Sequence, residues 1–358
     1  MNKNSSIAIV AGIAIAIAVI ASVLAFSGIS NDSTPMESPE QANLVPQAEK
    51  ITILTSFYPY HEFTKNVAGD FADVKQFMPN GVEAHDWEPR AQEIQSLKDA
   101  DVFVYNGLGM ESYIENIIES GEFDNVVFLK ASEGVELLKF EDDHDDHAKH
   151  DDHDDHDEHA KEDDHDDHDE HEEGGHDGHD HDYEFDPHIW LDPILVKQQV
   201  NVIRDGLIQV DPDNKENYEE NARIYNDKLD ALDMKIGSAL SSCQKDTIVP
   251  YHNAFTYLGE RYDIHIMALG GMAPDSEASA AEIAEFVDFV KDNDIKVIFS
   301  EELVDPRLAE VIAEEANAQV LLFSPLEALS KDEAGTNVSY IDKMEDNLDS
   351  LKVALECQ

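Results

Sequence analysis

From Ile51 onward the chain alternates short apolar runs with amphipathic stretches of ten to fifteen residues. A parallel sheet covered by helices is the architecture that buries such a pattern, since each helix crosses over to the next strand. ITILTSF (51–57), DVKQFM (73–78), DVFVYNG (101–107) and NVVFLKA (125–131) read as strands. The helices between them are YHEFTKNVAG, RAQEIQSLKDA and MESYIENIIES. A second series uses TIVPYH (247–252), IHIMALGG (264–271), KVIFSE (296–301) and QVLLFSPL (319–326) as strands. Its helices run to Tyr262, over 279–294, over PRLAEVIAEEAN and from Tyr340 to Leu355. The fold class expected is α/β, with two small parallel-sheet lobes.

A long uninterrupted stretch lies between the two series. After a helix at about 195–209, Asp211-Pro212-Asp213 supplies a helix start, and no Pro follows up to Leu240. Tyr218, Ala222, Tyr225, Leu229, Leu232 and Ile236 recur at spacings of three and four, the helical period. About 27 residues at 1.5 Å each predict a helix of roughly 40 Å, a strut joining the lobes.

The first series is interrupted by a tract of another kind. Between Glu141 and Asp182 stand twelve histidines, His144, His147, His150, His153, His156, His159, His165, His168, His171, His176, His179 and His181, set among aspartate and glutamate. DDHDDHDEHAKE (151–162) is followed by the similar DDHDDHDEHEEG (163–174). With almost no apolar side chains, the segment cannot offset chain entropy and is expected to be disordered without metal. Imidazoles at this density read as a weak metal-binding tract for a transition metal.

The formal net charge of the chain is −55. The tract holds 23 acids and two lysines, so the remainder still carries −34. Such an excess excludes nucleic acid and anionic membrane surfaces as partners. Residues 7–26 (IAIVAGIAIAIAVIASVLAF) carry no charge and are long enough to span a bilayer, so 1–29 read as a signal or membrane anchor. Residues 30–49, rich in Ser, Pro, Asn and Gln, read as a flexible tether. The body is therefore expected outside the cytoplasm, at the cell surface. There, the two cysteines, Cys243 and Cys357, read as a disulfide, with two unpaired thiols as the other reading.

Outside the tract there are five histidines. His85, His188 and His252 each follow a strand or sit in a Pro-punctuated turn, where open α/β sheets bind ligands. Zinc takes four ligands in a tetrahedron, so three imidazoles call for a carboxylate or a water. Glu327 and Glu301, both just past strands, are the candidates, and spacing alone does not rank them. Asp186 and Asp192 flank His188 as candidates to orient an imidazole. His61, in the first turn of a helix, and His265, inside a strand, read as structural.

TSFYPYHEF (55–63), NGVEAHDWEP (80–89), DPHIWLDP (186–193), YHNAFTYLGERY (251–262) and FSPLEAL (323–329) together resemble the metal-binding substrate-binding proteins of ABC importers, the zinc-type members of cluster A-I. The resemblance covers about residues 50–357. It implies two α/β lobes joined by one long rigid helix, with a metal site in the cleft between them. Carried over by position, the ligands are His85, His188 and His252, with Glu327 as the fourth and Glu301 as its alternative. Manganese-selecting members place a carboxylate where His252 stands, and an acidic histidine-rich insertion before the second ligand resembles the zinc-type branch.

The function implied is a monomeric, non-enzymatic Zn2+ receptor that serves an ABC permease and its ATPase. A Mn2+ or Fe2+ receptor, a surface zinc buffer or adhesin, and a zinc-dependent hydrolase are the alternatives. The domain boundaries expected are 50–210 for the N-terminal lobe, with 141–182 inserted, 211–242 for the linking helix, and 243–358 for the C-terminal lobe.

Overall fold

The computed structural model describes residues 50–139, 184–271 and 279–358. The expected anchor (1–29), tether (30–49) and histidine tract (141–182) lie outside the described residues. Among the described residues, no helix is long and apolar enough to cross a membrane.

The first sheet contains β1 (Ile51–Thr55), β2 (Ala72–Gln76), β3 (Val102–Tyr105) and β4 (Val127–Lys130), all parallel in the order β2-β1-β3-β4. Ile53 of β1 lies opposite Val74 on one side and Val102 on the other. The central strands read as continuous apolar runs because helices cover both their faces. α1 (Tyr58–Ala68), α2 (Ala91–Ser96) and α3 (Ile114–Glu119) provide the crossovers. α4 (Pro193–Val210) starts where the sequence places a cap and a fixed φ side by side. The Asp192 carboxylate accepts the Ile194 N–H at 2.7 Å, and Pro193 opens the helix without wasting a donor.

α5 (Lys215–Leu240) is the long helix, 26 residues or about 39 Å. Its buried residues are the six read from the periodicity, Tyr218 to Ile236. It does not cross open solvent. One face packs along α4 and α1, and α9 (Tyr340–Ala354) of the second series also lies against it.

The second series repeats the topology of the first. β5 (Thr247–Ile248) pairs with β6 (His265–Ile266), and β7 (Val297–Ser300) with β8 (Gln319–Leu322), all in parallel. These are two two-stranded sheets, and the Phe299 N–H donates to the Val249 carbonyl at 2.9 Å, setting them side by side in the order β6-β5-β7-β8. β5 and β6 are shorter than the apolar runs that contain them, because Pro250 has no N–H to continue a two-sided ladder. The chains nonetheless stay side by side through Leu269 N–H to Pro250 C=O at 3.0 Å and Gly270 N–H to Tyr251 C=O at 2.9 Å. α6 (Thr256–Tyr262), α7 (Ala280–Asp292) and α8 (Arg307–Ala316) complete the lobe, and α7 begins in a capping box formed by Ser279 and Glu282. In both sheets the strand order reverses between the first and third strands, and there the carboxyl ends open a crevice.

One hydrophobic core runs through both lobes, from Ile53 and Val102 of the first sheet past Tyr225 and Leu232 of α5 to Phe299 and Phe323 of the second. A disulfide joins Cys243, just beyond α5, to Cys357, just beyond α9, and closes a loop of 114 residues. The Gln244 and Lys245 N–H groups add bonds to the Leu355 carbonyl, each at 3.1 Å. Restricting an unfolded loop of that length stabilises the fold by a few kcal/mol. Cys243→Ser together with Cys357→Ser should therefore lower unfolding stability by about 2–4 kcal/mol in denaturant titration.

Candidate metal centre

Four side chains from four separate loops meet at the crevice. His85 comes from the loop after β2. Within it the Glu83 carboxylate accepts the N–H groups of His85 and Asp86 at 2.9 and 3.0 Å, folding the backbone into a tight local turn. Burial first, and then the nearby Glu327 charge, push the Glu83 carboxyl up to about 8.

His188 and His252 are held by the same device, one in each lobe. One oxygen of Asp186 accepts both the His188 backbone N–H (2.9 Å) and its Nδ1–H (2.8 Å). One oxygen of Glu301 does the same for His252, at 3.2 and 2.6 Å. A carboxylate on Nδ1 fixes the tautomer and leaves the Nε2 lone pair free for a metal.

Glu327 follows β8 on a turn whose preceding residue, Leu326, is fully buried and has φ +59°. That left-handed conformation costs a branched side chain about 1–2 kcal/mol and persists only where the surroundings enforce it. Here Asn347 of α9 clamps the turn, accepting the Ser324 N–H at 2.8 Å and donating to the Ser324 carbonyl at 2.7 Å.

The geometry is that of a small cation site. His85 Nε2, His188 Nε2 and His252 Nε2 lie 3.3, 3.5 and 3.4 Å from the same Glu327 oxygen, and His85 Nε2 is 3.4 Å from His188 Nε2. A tetrahedron with zinc–ligand bonds of about 2.05 Å has edges of roughly 3.35 Å. The side chains of the three histidines are fully buried and that of Glu327 nearly so. The buried His252 Nε2 has no hydrogen-bond partner, an orphan that a metal would satisfy.

The titration of the four groups follows from their neighbours. Burial alone would raise Glu327, but His85 and the other two imidazoles outweigh it and hold the carboxyl well below its ordinary range. Burial would lower His252, yet Glu301 and Glu327 hold it well above the usual histidine value. His188 is raised, with Asp186 overcoming burial in the same way, whereas burial wins at His85 and lowers it.

Among the described residues this is the one group of histidine, cysteine and acidic side chains disposed to hold a metal ion. The other residues singled out in the sequence take different positions. Glu301 stands behind His252, one oxygen accepting its Nδ1–H, and lies outside the four-residue group. Asp192 orients no imidazole; it caps α4 instead, a role its Asp-Pro dipeptide signals directly. His61 lies in α1, where burial and Lys65 lower it to about 4, and His265 is exposed on β6. Asn106, unremarked in the sequence, ends β3 and donates to the Pro187 carbonyl at 2.9 Å, bracing the His188 arm. The buried Glu111 carboxylate in turn accepts the N–H groups of Asn106 and Gly107, at 2.8 and 2.9 Å. An Asn closing an apolar strand ahead of Gly-x-Gly was the available signal.

The family described as zinc-uptake complex component A, periplasmic (ZnuA) matches residues 53–354. The high-affinity zinc uptake system protein ZnuA of Bacillus subtilis is 36% identical over 310 residues, covering 86% of this chain and 89% of that protein. The zinc-binding lipoprotein AdcA of Streptococcus pneumoniae is 37% identical over 307 residues, covering 85% of this chain, which spans only 55% of that longer relative. Among solved structures, the Zn(II)-bound ZnuA-like domain of AdcA from Streptococcus pneumoniae superposes with a TM-score of 0.68 at 34% identity, covering 86% of this chain and all of that domain. The laminin-binding protein Lmb of Streptococcus agalactiae, described as having adhesin and metal-transporting activity, gives 0.70 at 26% identity, covering 86% of this chain and all of that one. With a match across most of its length, the chain belongs to the periplasmic zinc-uptake component A family.

Proposed function

We propose that the chain is an extracytoplasmic receptor that captures Zn2+ as cargo on His85, His188, His252 and Glu327. It delivers the ion to a membrane permease driven by a cytoplasmic ATPase. The observation that carries this reading is the buried cluster of three imidazole nitrogens and one carboxylate oxygen, with each nitrogen 3.3 to 3.5 Å from that oxygen. The names of the relatives, a zinc uptake protein and a zinc-binding lipoprotein, support it.

The donor set argues against the alternatives. Manganese favours more oxygen ligands and a higher coordination number, whereas three imidazoles suit zinc. A catalytic zinc keeps a position open for water, whereas here four protein donors converge on one point. We assign 1–29 to a signal or membrane anchor and 30–49 to a tether. The lobes are 50–210 and 243–358, with 211–242 linking them. The twelve tract histidines, His144 to His181, form auxiliary weak sites.

Two ligands precede α5 and two follow it, so bound metal cross-links the lobes. A ligand that binds only the folded state stabilises it by about 4 kcal/mol at a thousandfold excess over Kd. In protein lacking residues 141–182, zinc should raise the Tm markedly. His85→Ala, His188→Ala or His252→Ala should each remove most of that rise, and Glu327→Ala less, since water can take its corner. Asp186→Ala and Glu301→Ala should weaken zinc roughly tenfold to a hundredfold through loss of imidazole orientation. His61→Ala and His265→Ala should keep the full response; loss in either control with retention in His252→Ala would exclude this site.

Protons and zinc compete for the same nitrogens, so the direction of each shift sets the pH response. His188 and His252 are raised in the metal-free site, so they take up protons above the usual histidine value and resist metal early as pH falls. Competitive titration should show zinc affinity falling with decreasing pH, by more than tenfold per unit once both are protonating. A pH-independent affinity between 5 and 7 would count against imidazole ligation.

Deleting residues 141–182 should lower zinc stoichiometry in equilibrium dialysis while leaving one tight site. Loss of that site would mean that the primary ligands lie in the tract.

A further inference from the structure

Beyond the four side chains of the metal centre, two aromatic side chains tie the lobes together through hydrogen bonds. Tyr257 lies in the first turn of α6, five residues beyond His252, yet its buried ring packs among residues of the other lobe, Val135, Ile189, Leu138 and Leu195. Its hydroxyl both accepts and donates there. It takes the Leu138 N–H at 3.0 Å and gives its proton to the Asp186 carbonyl at 2.9 Å. Leu138 and Asp186 lie on the two chain segments flanking the histidine tract, themselves joined by the Asp186 N–H to Leu138 C=O bond at 3.1 Å and the Lys139–Phe185 bridge. Asp186 is also the acid that orients His188.

Trp190 makes the reciprocal contact. It belongs to the first lobe, and its indole N–H donates to the Pro325 carbonyl of the second at 2.7 Å. Each ring thus crosses the cleft to grip the backbone two residues before a metal-site side chain, Asp186 before His188 and Pro325 before Glu327.

We propose that Tyr257 is a latch between the lobes, a positioning residue that sets how fast zinc leaves the centre; the release arm rests on the zinc-receptor reading above. Opening the cleft requires the ring to leave an apolar socket and breaks both bonds of its hydroxyl, and in Tyr257→Phe the closed state already leaves the Leu138 N–H without that partner. The latch donates nothing to the metal, so it bears on dissociation and not on coordination.

The test uses the full chain loaded with one equivalent of zinc and mixed with excess chelator. Tyr257→Phe, which keeps the ring and loses only the hydroxyl, should speed the slow release phase roughly tenfold, the scale of a lost hydrogen-bonding group. The association rate should stay within about twofold, and Co2+ substituted for zinc should keep its d–d spectrum. Tyr218→Phe removes another buried tyrosine's bond, to Asp211 at 2.6 Å beside α5, and should leave release unchanged. An unchanged release rate in Tyr257→Phe, equal acceleration in Tyr218→Phe, or an altered Co2+ spectrum would each overturn the latch. A zinc-free arm separates this idea from the receptor reading. Hydrogen exchange at the Gly81 N–H, bonded across the cleft to the Leu329 carbonyl at 2.8 Å, should accelerate in Tyr257→Phe. Exchange that speeds up only at Leu138 would make the bond local and reject the latch, whereas a wild-type chain that holds no zinc would reject the receptor reading alone.

Discussion

Two carboxylates that do not form corners of the tetrahedron govern the centre. Asp186 and Glu301 each take an imidazole Nδ1–H and the backbone N–H of the same histidine with a single oxygen. The ring is thereby fixed at both ends, its tautomer set and its Nε2 aimed inward before any ion arrives. Three imidazoles and a carboxylate converging in a buried pocket would drift apart without that bracing. Preorganisation of this kind keeps the ordering cost of capture low.

The bracing depends in turn on a repeated topology. Each lobe brings strand ends to the crevice, and residues just past them join the four-residue cluster or support it. His85 follows the second strand of one sheet, whereas His252 follows the first and Glu301 the third strand of the other. Glu327 needs more enforcement, because it follows a left-handed Leu326 that Asn347 must hold in place.

Much of this was legible in the residues. Strand-and-helix alternation gave both lobes, and the spacing from Tyr218 to Ile236 gave the buried face of α5, since periodicity records which side meets the core. With only five histidines outside the tract, those past strand ends stood out. What could not be read was the division of labour among acids. Glu301 and Glu327 both follow strands, and only three-dimensional placement puts one behind an imidazole and the other at the corner. Asp192 looked like a companion of His188, but Asp-Pro at a helix start is a capping signal that outranked proximity. Tyr257 and Asn347 act across long separations in sequence, which no local pattern reports.

The core that threads both sheets through α5 has an implication for how such a protein can diversify. Lobes that share side chains are not separable folding units, so neither can be exchanged or reshaped without exposing apolar surface, at about 25 cal/mol per Å². The loops at strand ends carry no such burden. Variation in what the protein captures is therefore channelled into a few loop positions, while the scaffold beneath them stays nearly fixed.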